Sequence, residues 1–582
     1  MEEAQYKKEL KISGVAASPG ISIGKAFVVR KSEMVSSGIL LENESDVLKE
    51  IEKFGRAVQA SVEEVEALKN NDVIKLADEE IEILETHIEF LTDPQINGNV
   101  FEKITRDKKN VVDAVIEVIH EAVQVLKNMN DEYMRARAAD VQDIGNRILK
   151  NLNNATEKSR QTFQSNTIIV AEEVSPSDAI AMDINQVIGF ITHVGGKTSH
   201  TAILARSKNI PAVLGCGNTL SIIENNDTII VDGTEGVVII NPNESCIEEY
   251  KLKKEANDRE LKFLRSLKDI SAQTSDGIEI ELLANIANAD DMEESFNYGA
   301  QGAGLFRTEM LFMNRNSFPL EDEQFEFYKK VALRSKGKPV IVRTIDIGGD
   351  KPLAYLKFPK EENPFLGYRG LRICLDRQDI FTTQLKAILR ASVFGNFKIM
   401  FPMISSIQEL RLAKEILEQT KIELQKSKFD FDKNIQVGIM IEVPSAAITA
   451  DLLAKEVDFF SIGTNDLCQY TLAVDRMNEK IKDLYDPFNP AVIRLISHVI
   501  EQAHKHNINV GMCGEFASDP QATLLSVGMG LKEFSMNATS IPSVKKVIIN
   551  TSYAKAKEVR GKVMSMDNSK SIIAYLQSQN DF

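Results

Sequence analysis

Long apolar runs, paired cysteines and an excess of positive charge are all missing from this 582-residue sequence. No stretch stays apolar over the roughly 20 residues that a membrane-spanning helix needs, and the start, Met1-Glu2-Glu3, lacks the apolar core of a signal peptide. The five cysteines lie far apart without a C-x-x-C pair, which disfavours a disulfide framework or a zinc site. The net charge of -16 argues against a general affinity for nucleic acid. These absences predict a cytoplasmic protein with no membrane insertion.

The remaining composition is ordinary for a globular protein, with 43% hydrophobic and 26% charged residues, and the length predicts two to four domains. Strand-like sequence in residues 1–43 returns at Thr167-Ile168-Ile169-Val170. Between these segments, apolar residues recur at steps of three or four, as in amphipathic helices. We therefore predict an α/β domain over residues 1–43 and 150–245, an inserted helical subdomain over residues 44–149 and a helical linker over residues 246–268.

The last three hundred or so residues contain eight short apolar strands separated by helical stretches. The predicted strands are Glu279–Ala284, Gly302–Phe306, Val340–Ile345, Lys398–Met403, Val437–Ile441, Phe459–Ile462, Ile508–Met512 and Glu533–Met536. A doubly wound open sheet would also alternate strands with helices, but a count of eight favours a (β/α)8 barrel. We predict a TIM barrel over residues 269–582, with its active site at the C-terminal ends of the strands.

Polar side chains follow most of these predicted strands. They are Arg307, Arg343, Glu442, Asn465, Asp466, Arg476 and Cys513. Arginine forks suit the phosphate and carboxylate of a small anion, and two carboxylates suit the sparse ligation that Mg²⁺ prefers. A cysteine beside them could give a proton to a leaving fragment. Any one of these residues alone is more often a surface ion pair or an inert core thiol. Six of the eight predicted strand ends nevertheless carry such groups, counting Asn537 after the eighth strand.

A second candidate site is the run GGKTSH at residues 195–200. The two glycines permit a turn whose N–H groups face an anion, and Thr198 and Ser199 add hydroxyl donors. His200 opens a predicted helix, whose positive end would favour a phosphate on the imidazole ring. A histidine at a helix start is more often a cap or a surface residue, and His193 is treated as a neighbour. Residues 20–26, GISIGKA, are one residue short of a P-loop, so ATP is not the expected donor.

Four long motifs carry a resemblance to the phosphoenolpyruvate-utilising enzymes. They are GGKTSHTAILAR at 195–206, DFFSIGTNDLCQYTLA at 458–473, RTIDIGGDK at 343–351 and EENPFLGYR at 361–369. Within that superfamily the layout resembles Enzyme I of the bacterial phosphoenolpyruvate-dependent sugar phosphotransferase system over essentially the whole chain. Related dikinases and synthases carry an ATP-binding domain ahead of the histidine domain, and we expect none here because Ala17-Ser18-Pro19-Gly20 lies close to the start of the sequence.

The resemblance implies transfer of a phosphoryl group from phosphoenolpyruvate to His200 and then to a histidine of the carrier protein HPr, with release of pyruvate. It implies that Arg307, Arg343, Asn465 and Arg476 hold the substrate, with Asp466 contacting it through Mg²⁺. Glu442 and Asp466 would ligate the metal, and Cys513 would protonate the enolate of pyruvate. The α/β domain would be a swivelling phosphohistidine domain, the helical subdomain would bind HPr, and the barrel would form a homodimer.

Two positions depart from the pattern of that family. Ala179 stands where a threonine is frequent, which removes a hydroxyl group that could orient the ring of His200. Lys197 replaces a frequent arginine, which keeps the charge but loses the fork.

Two other functions are compatible with parts of the pattern. A regulatory binding protein could keep the fold and sense HPr through its helical subdomain, although such a protein would not need all the site residues. An ATP-linked, dikinase-like enzyme would need a separate nucleotide-binding subunit and would be labelled from ATP.

Overall fold

The computed structural model describes the chain except for residues 1–8, 30–37, 39, 70–77, 129–131, 153–165, 175–185, 197–198, 209, 218–220, 314, 350–352, 354, 357–360, 479 and 580–582. Within the described helices, the side chains of residues 68, 78–83, 132–136, 139, 200, 203 and 207 are also outside the described part. The chain forms two compact units, Met1–Arg259 and Glu260–Phe582. In the described part, no helix is both long and apolar enough to cross a bilayer.

The first unit is built on one eight-stranded sheet of mixed direction, in the order β1-β8-β7-β3-β4-β5-β6-β2. Its strands are β1 Leu10–Ser13, β2 Val15–Ser18, β3 Ile21–Val29, β4 Thr167–Ala171, β5 Val187–Thr192, β6 Ala212–Leu214, β7 Thr228–Asp232 and β8 Val237–Ile240. β3 pairs in parallel with β4 although more than a hundred residues separate them. The chain therefore leaves the sheet after β3 and returns beside it.

Between β3 and β4 the described residues form five helices, which share a hydrophobic core of their own. They are α1 Glu44–Lys69, α2 Asp78–Leu91, α3 Pro94–Thr105, α4 Val111–Lys127 and α5 Glu132–Leu152. α3 starts directly after α2 because Asp93 caps it, accepting hydrogen bonds from the N–H groups of Gln95 and Ile96 at 2.8 and 2.9 Å. Among the described residues, the first part of the chain also contains α6 His200–Ser207 and α7 Glu244–Ser266, the second of which crosses the boundary between the units.

The second unit is a closed barrel of eight parallel strands in the order β10-β11-β12-β13-β14-β15-β16-β9. The strands are β9 Glu281–Ile286, β10 Ala303–Arg307, β11 Pro339–Arg343, β12 Asn396–Phe401, β13 Gln436–Ile441, β14 Phe459–Ile462, β15 Asn509–Met512 and β16 Glu533–Met536. All eight predicted strands are present, with ends shifted by two residues at most. The predicted fold class, a multidomain α/β protein with a C-terminal TIM barrel, is confirmed.

Helices surround the barrel and bury the outer faces of the strands in one large apolar core. They are α8 Ala289–Ser295, α9 Glu321–Arg334, α10 Leu371–Asp376, α11 Gln378–Ala391, α12 Ile407–Lys426, α13 Pro444–Ile448, α14 Ala450–Leu453, α15 Thr464–Leu472, α16 Pro490–Lys505, α17 Glu515–Ser518, α18 Pro520–Met529, α19 Ile541–Ile549, α20 Tyr553–Val563 and α21 Ser569–Gln579. Because all strands run in parallel, their C-terminal ends open at one rim, where the candidate residues follow them.

The opposite end of the barrel holds two carboxylates on neighbouring strands. Glu533 opens β16 and pairs in register with Glu281 on β9. Burial raises the pKa of Glu533 to about 7, Glu281 adds to the rise, and Lys398 opposes it. A raised pKa in the folded state means that the protonated form stabilises the fold. This contribution is fully present below the unfolded pKa near 4.5 and is lost as the pH rises through about 7.

We expect Glu533→Gln to raise the free energy of unfolding by about 1–3 kcal/mol at pH 8 and to change it little near pH 4. The amide mimics the protonated acid and removes the repulsion from Glu281. Urea unfolding at both pH values measures the effect, with the exposed Glu558→Gln as control. An equal change at both pH values would contradict this assignment.

Candidate active site

The C-terminal rim of the barrel brings the predicted barrel residues onto consecutive strand ends. Arg307 ends β10 and pairs in register with Arg343, which ends β11. The others follow in chain order, with Glu442 directly after β13, Asn465 and Asp466 in the first turn of α15, Arg476 after that helix, and Cys513 directly after β15. The rim therefore carries three arginines, two carboxylates, an amide and a thiol around one opening.

Arg343 is almost fully buried between acidic side chains. Its Nη2 donates to Glu309 Oε1, and its Nη1 lies 3.3 Å from Asp346 Oδ2. Burial lowers the pKa of Arg343, but these carboxylates outweigh it and raise that pKa above its ordinary value. The side chain of Arg307 is exposed. Desolvation by the surrounding protein, and next the positive charge of Arg343, lower its pKa, as expected for a group inside a concave opening. Both guanidinium groups remain charged, so the opening favours an anion.

Arg369 is a rim residue that the strand-end argument missed. It is 2% exposed, and its Nη2 lies 3.1 Å from Asp346 Oδ2 and 3.3 Å from Asp466 Oδ2. Its Nη1 donates to the hydroxyl group of Tyr470 at 3.1 Å, and that hydroxyl donates to the carbonyl of Phe365 at 2.6 Å. The signal that could have found it is its place at the end of the motif at residues 361–369. Arg369 holds two acidic side chains in place and balances their charge.

The carboxylates of Glu442 and Asp466 are the candidate metal ligands. Glu442 is 1% exposed and accepts a hydrogen bond from the N–H of Met403 at 2.6 Å. Burial raises its pKa to about 8, and the negative charges of Asp466 and Asp346 add to the rise. Asp466 Oδ1 is buried without a hydrogen bond among the described residues, 4.0 Å from Arg476 Nη2. A bound cation would reduce the repulsion between the carboxylates of Glu442 and Asp466 and would give Asp466 Oδ1 a partner.

This donor set fits Mg²⁺ better than a metal with an all-protein cage. No group of three or more histidine, cysteine or acidic side chains in the described ranges could hold a metal ion. Mg²⁺ is commonly held by one or two carboxylates, with water and substrate oxygens in its other positions. The two rim carboxylates therefore suit a metal that is completed by its substrate.

Asn465 and Arg476 are held in place by backbone contacts. The side-chain carbonyl of Asn465 accepts a hydrogen bond from the N–H of Glu515 at 2.8 Å. The N–H of Arg476 donates to the side-chain carbonyl of Gln469 at 3.1 Å, just after a left-handed residue ends α15. Both side chains thus start from fixed backbone at the rim.

Cys513 is buried in the barrel beneath this rim, with 4% exposure. Its thiol contacts the carbonyl of Ile462 at 3.7 Å, and its own carbonyl accepts a hydrogen bond from Asn285 Nδ2 at 3.1 Å. Asn285 in turn accepts from the hydroxyl group of Ser535 at 2.7 Å, a support that the sequence did not reveal. Burial raises the pKa of Cys513 to about 11. The thiol therefore stays protonated near neutral pH and can act as an acid.

The glycine turn lies in the first unit, between β5 and α6. Gly195 adopts a φ of 117°, a conformation that favours glycine. The N–H and the hydroxyl of Ser199 donate to the carbonyl of Gly196 at 3.1 and 2.9 Å. Ser199 also caps α6 by accepting from the N–H of Ala202 at 3.4 Å. The backbone of His200 is thereby placed at the first position of an eight-residue helix.

Several predicted features of this turn lie outside the described residues. They are the side chain of His200, the residues Lys197 and Thr198, and the segment that contains Ala179.

Three family models match the chain. They are described as the PEP-binding domain of PEP-utilising enzymes over residues 262–553, the N-terminal segment of PEP-utilising enzymes over residues 13–137, and the mobile domain of PEP-utilising enzymes over residues 163–236. The first covers the whole barrel rim described above, and the third covers the glycine turn.

The chain is also similar to individual proteins over nearly its full length. A protein named phosphoenolpyruvate-protein phosphotransferase from Buchnera aphidicola subsp. Acyrthosiphon pisum (strain APS) is 43% identical over 567 residues, 97% of this chain and 99% of that relative. A protein of the same name from Bacillus subtilis (strain 168) is 44% identical over 566 residues, with the same coverage of 97% and 99%. An NMR solution structure of Enzyme I (nEIt) is 40% identical and covers 42% of this chain and 99% of its own, at a TM-score of 0.38.

Proposed function

Because this chain belongs to the family of phosphoenolpyruvate-protein phosphotransferases, we propose that it transfers the phosphoryl group of phosphoenolpyruvate to its own His200 and then to a histidine of the carrier protein HPr. This is the first step of a sugar phosphotransferase system. The observation that carries the proposal is the barrel rim, where three arginines and two buried carboxylates surround one opening. Such a set suits a small substrate that bears both a phosphate and a carboxylate.

The rim residues divide the binding work. Arg307, Arg343 and Arg476 bind the phosphate and carboxylate oxygens, and the side-chain amide of Asn465 adds a neutral donor. Glu442 and Asp466 would hold Mg²⁺, which draws charge from the phosphoryl oxygens when bound. Arg369 keeps Asp466 in position and prevents the acidic side chains from repelling one another.

The transfer step balances with groups that this chain supplies. The bond between phosphorus and the enol oxygen breaks, a bond between phosphorus and a ring nitrogen of His200 forms, and the enolate of pyruvate is left. The thiol of Cys513 gives its proton to the methylene carbon of that enolate, which yields pyruvate, and the thiolate regains a proton from water. The N-terminus of α6 places partial positive charge beside the new phosphohistidine.

The remaining features are proposed on the basis of family membership. The five helices α1 to α5 bind HPr, the barrel forms the homodimer, and the protein works in the cytoplasm. The two units carry the two halves of the reaction, since the rim arginines lie in one and His200 lies in the other.

The proposal predicts that the protein becomes labelled by ³²P-phosphoenolpyruvate in the presence of Mg²⁺ and releases pyruvate in equal amount. The label should be acid-labile, as a phosphoramidate is, and should map to the peptide that contains His200. Removal of Mg²⁺ with EDTA should stop labelling, and its return should restore it. Labelling from ATP in place of phosphoenolpyruvate, or no label with Mg²⁺ present, would contradict the proposal.

A further inference from the structure

Two loops beside the glycine turn hold each other through a reciprocal pair of hydrogen bonds. The N–H of Gly217 donates to the carbonyl of His193 at 3.1 Å. The ring nitrogen Nδ1 of His193 is in turn hydrogen-bonded to the carbonyl of Gly217. His193 thus contacts both polar backbone groups of Gly217, its N–H and its carbonyl. We call this pair, His193 and Gly217, the clasp.

The clasp requires one protonation form of the imidazole ring. A carbonyl oxygen can only accept, so Nδ1 of His193 must carry the proton. Either the neutral tautomer protonated at Nδ1 or the charged ring satisfies this bond. The clasp is therefore a structural link that depends on a donor at Nδ1 of His193.

The clasp lies against the turn that leads to the candidate nucleophile. Gly215 adopts a φ of 64°, and a side chain there would place its Cβ 2.9 Å from the carbonyl oxygen of Gly195. The loop of residues 215–217 therefore packs directly against the backbone of the turn at Gly195. The N–H of Cys216 donates to the carbonyl of Thr192 at 2.9 Å, which joins the same loop to the end of β5.

Described contacts hold both the residue that precedes the glycine turn and the start of α6. His193 precedes the turn, and Gly196 within the turn accepts both hydrogen bonds from Ser199. Ser199 caps α6, which begins at His200. The ring of His193 thus holds the residue that precedes the turn, and the Ser199 cap holds the start of α6.

We propose that His193 is a positioning residue that holds the loop carrying His200 through its bond to the carbonyl of Gly217. This inference rests on the proposed function, because the residue acts on the rate at which His200 is phosphorylated. A reacting nitrogen must approach phosphorus within about 3–3.5 Å in good alignment, and a misplacement of about 1 Å can cost on the order of a hundredfold in rate. His193 takes no part in the bonds that break and form.

Two variants of matched shape test the role of the hydrogen bond. His193→Asn keeps an N–H donor bonded to Cγ, as in the ring, whereas His193→Leu has the same branching without a donor. The rate of labelling of the full chain by ³²P-phosphoenolpyruvate and Mg²⁺ is measured by quenched flow, together with the final amount of label. We expect His193→Leu to be about tenfold slower with the same final label. We expect His193→Asn to stay within about twofold of the parent.

The outcomes separate this inference from the proposed function. A parent protein that takes up no label contradicts the proposed function. If the parent is labelled, three results would overturn the inference. They are a parental labelling rate in His193→Leu, equal losses of rate in both variants, and a phosphoryl label on His193 itself. Nitrogen NMR of the labelled imidazoles in the unmodified parent gives a test that needs neither turnover nor variants. A protonated Nδ1 on His193 supports the clasp, and an unprotonated Nδ1 contradicts it.

Discussion

Replacement of His200 with alanine is expected to abolish the acid-labile label from phosphoenolpyruvate. The imidazole ring of His200 is the proposed phosphoryl acceptor, and the methyl side chain of alanine offers no nucleophile in its place. The measurement is the amount of ³²P per chain after incubation with Mg²⁺ and phosphoenolpyruvate, alongside the amount of pyruvate released. Both should fall to background.

The loss of label in His200→Ala should reflect the missing nucleophile and not misfolding of the variant. Alanine is the best helix former, and the cap from Ser199 to the N–H of Ala202 does not involve the replaced side chain. The arginines proposed to bind the substrate lie in the barrel of the second unit, so calorimetric titration should show phosphoenolpyruvate binding unchanged by His200→Ala. The exposed His120→Ala on α4 is the matched control and should be labelled at the parental rate. Persistent label in His200→Ala would refute the assignment of the nucleophile.

This result also separates the enzyme from the two alternative functions. A regulatory binding protein that senses HPr would not be labelled even as the parent, so the replacement would change nothing. In an ATP-linked enzyme, the replacement of His200 would abolish labelling from ATP and would have no specific effect on labelling from phosphoenolpyruvate.

The barrel was predictable because its signal is local. Each strand is a short buried apolar run, and strand ends converge in any closed parallel barrel, so Arg307, Arg343 and Cys513 were predicted at one rim from their place after strands. The helices were less evident. Asp93 and Pro94 follow the apolar stripe of α2, where such a pair can end a helix, but here Asp93 caps α3 and Pro94 is its first residue.

What the sequence did not reveal are contacts made across the barrel. Arg369 reaches Asp346 and Asp466 from a loop outside any strand end, and only the closed fold brings these side chains within 3.3 Å. Asn285 supports the carbonyl of Cys513 from a residue more than two hundred positions away. Such supports depend on three-dimensional neighbours, and spacing along the chain carries no trace of them. His193 was interpreted as a neighbour of the turn for the same reason.

Replacement of Cys513 with alanine is expected to lower the rate of pyruvate formation by about 10²–10⁴-fold, the range for loss of a general acid. The thiol is buried and its pKa is raised to about 11, so nearly all of it carries its proton at neutral pH. An ordinary cysteine, with a pKa near 8.5, would lose its proton between about pH 7 and 9. Deprotonation of Cys513 should therefore cause no fall in the parental rate over this interval.

Hydrogen exchange separates proton transfer from a general effect on the barrel. The reverse of the proposed step removes a proton from the methyl group of pyruvate, so the parent with Mg²⁺ and pyruvate in D₂O should introduce deuterium there. Proton NMR should show that Cys513→Ala loses this exchange, while Cys374→Ala, which removes a fully buried thiol that the step does not use, retains it. Substrate binding should survive in Cys513→Ala, because the proposal assigns binding of phosphoenolpyruvate to the rim arginines and not to the thiol. Parental exchange in Cys513→Ala would assign the proton to another group, and loss of exchange in both variants would point to a damaged barrel.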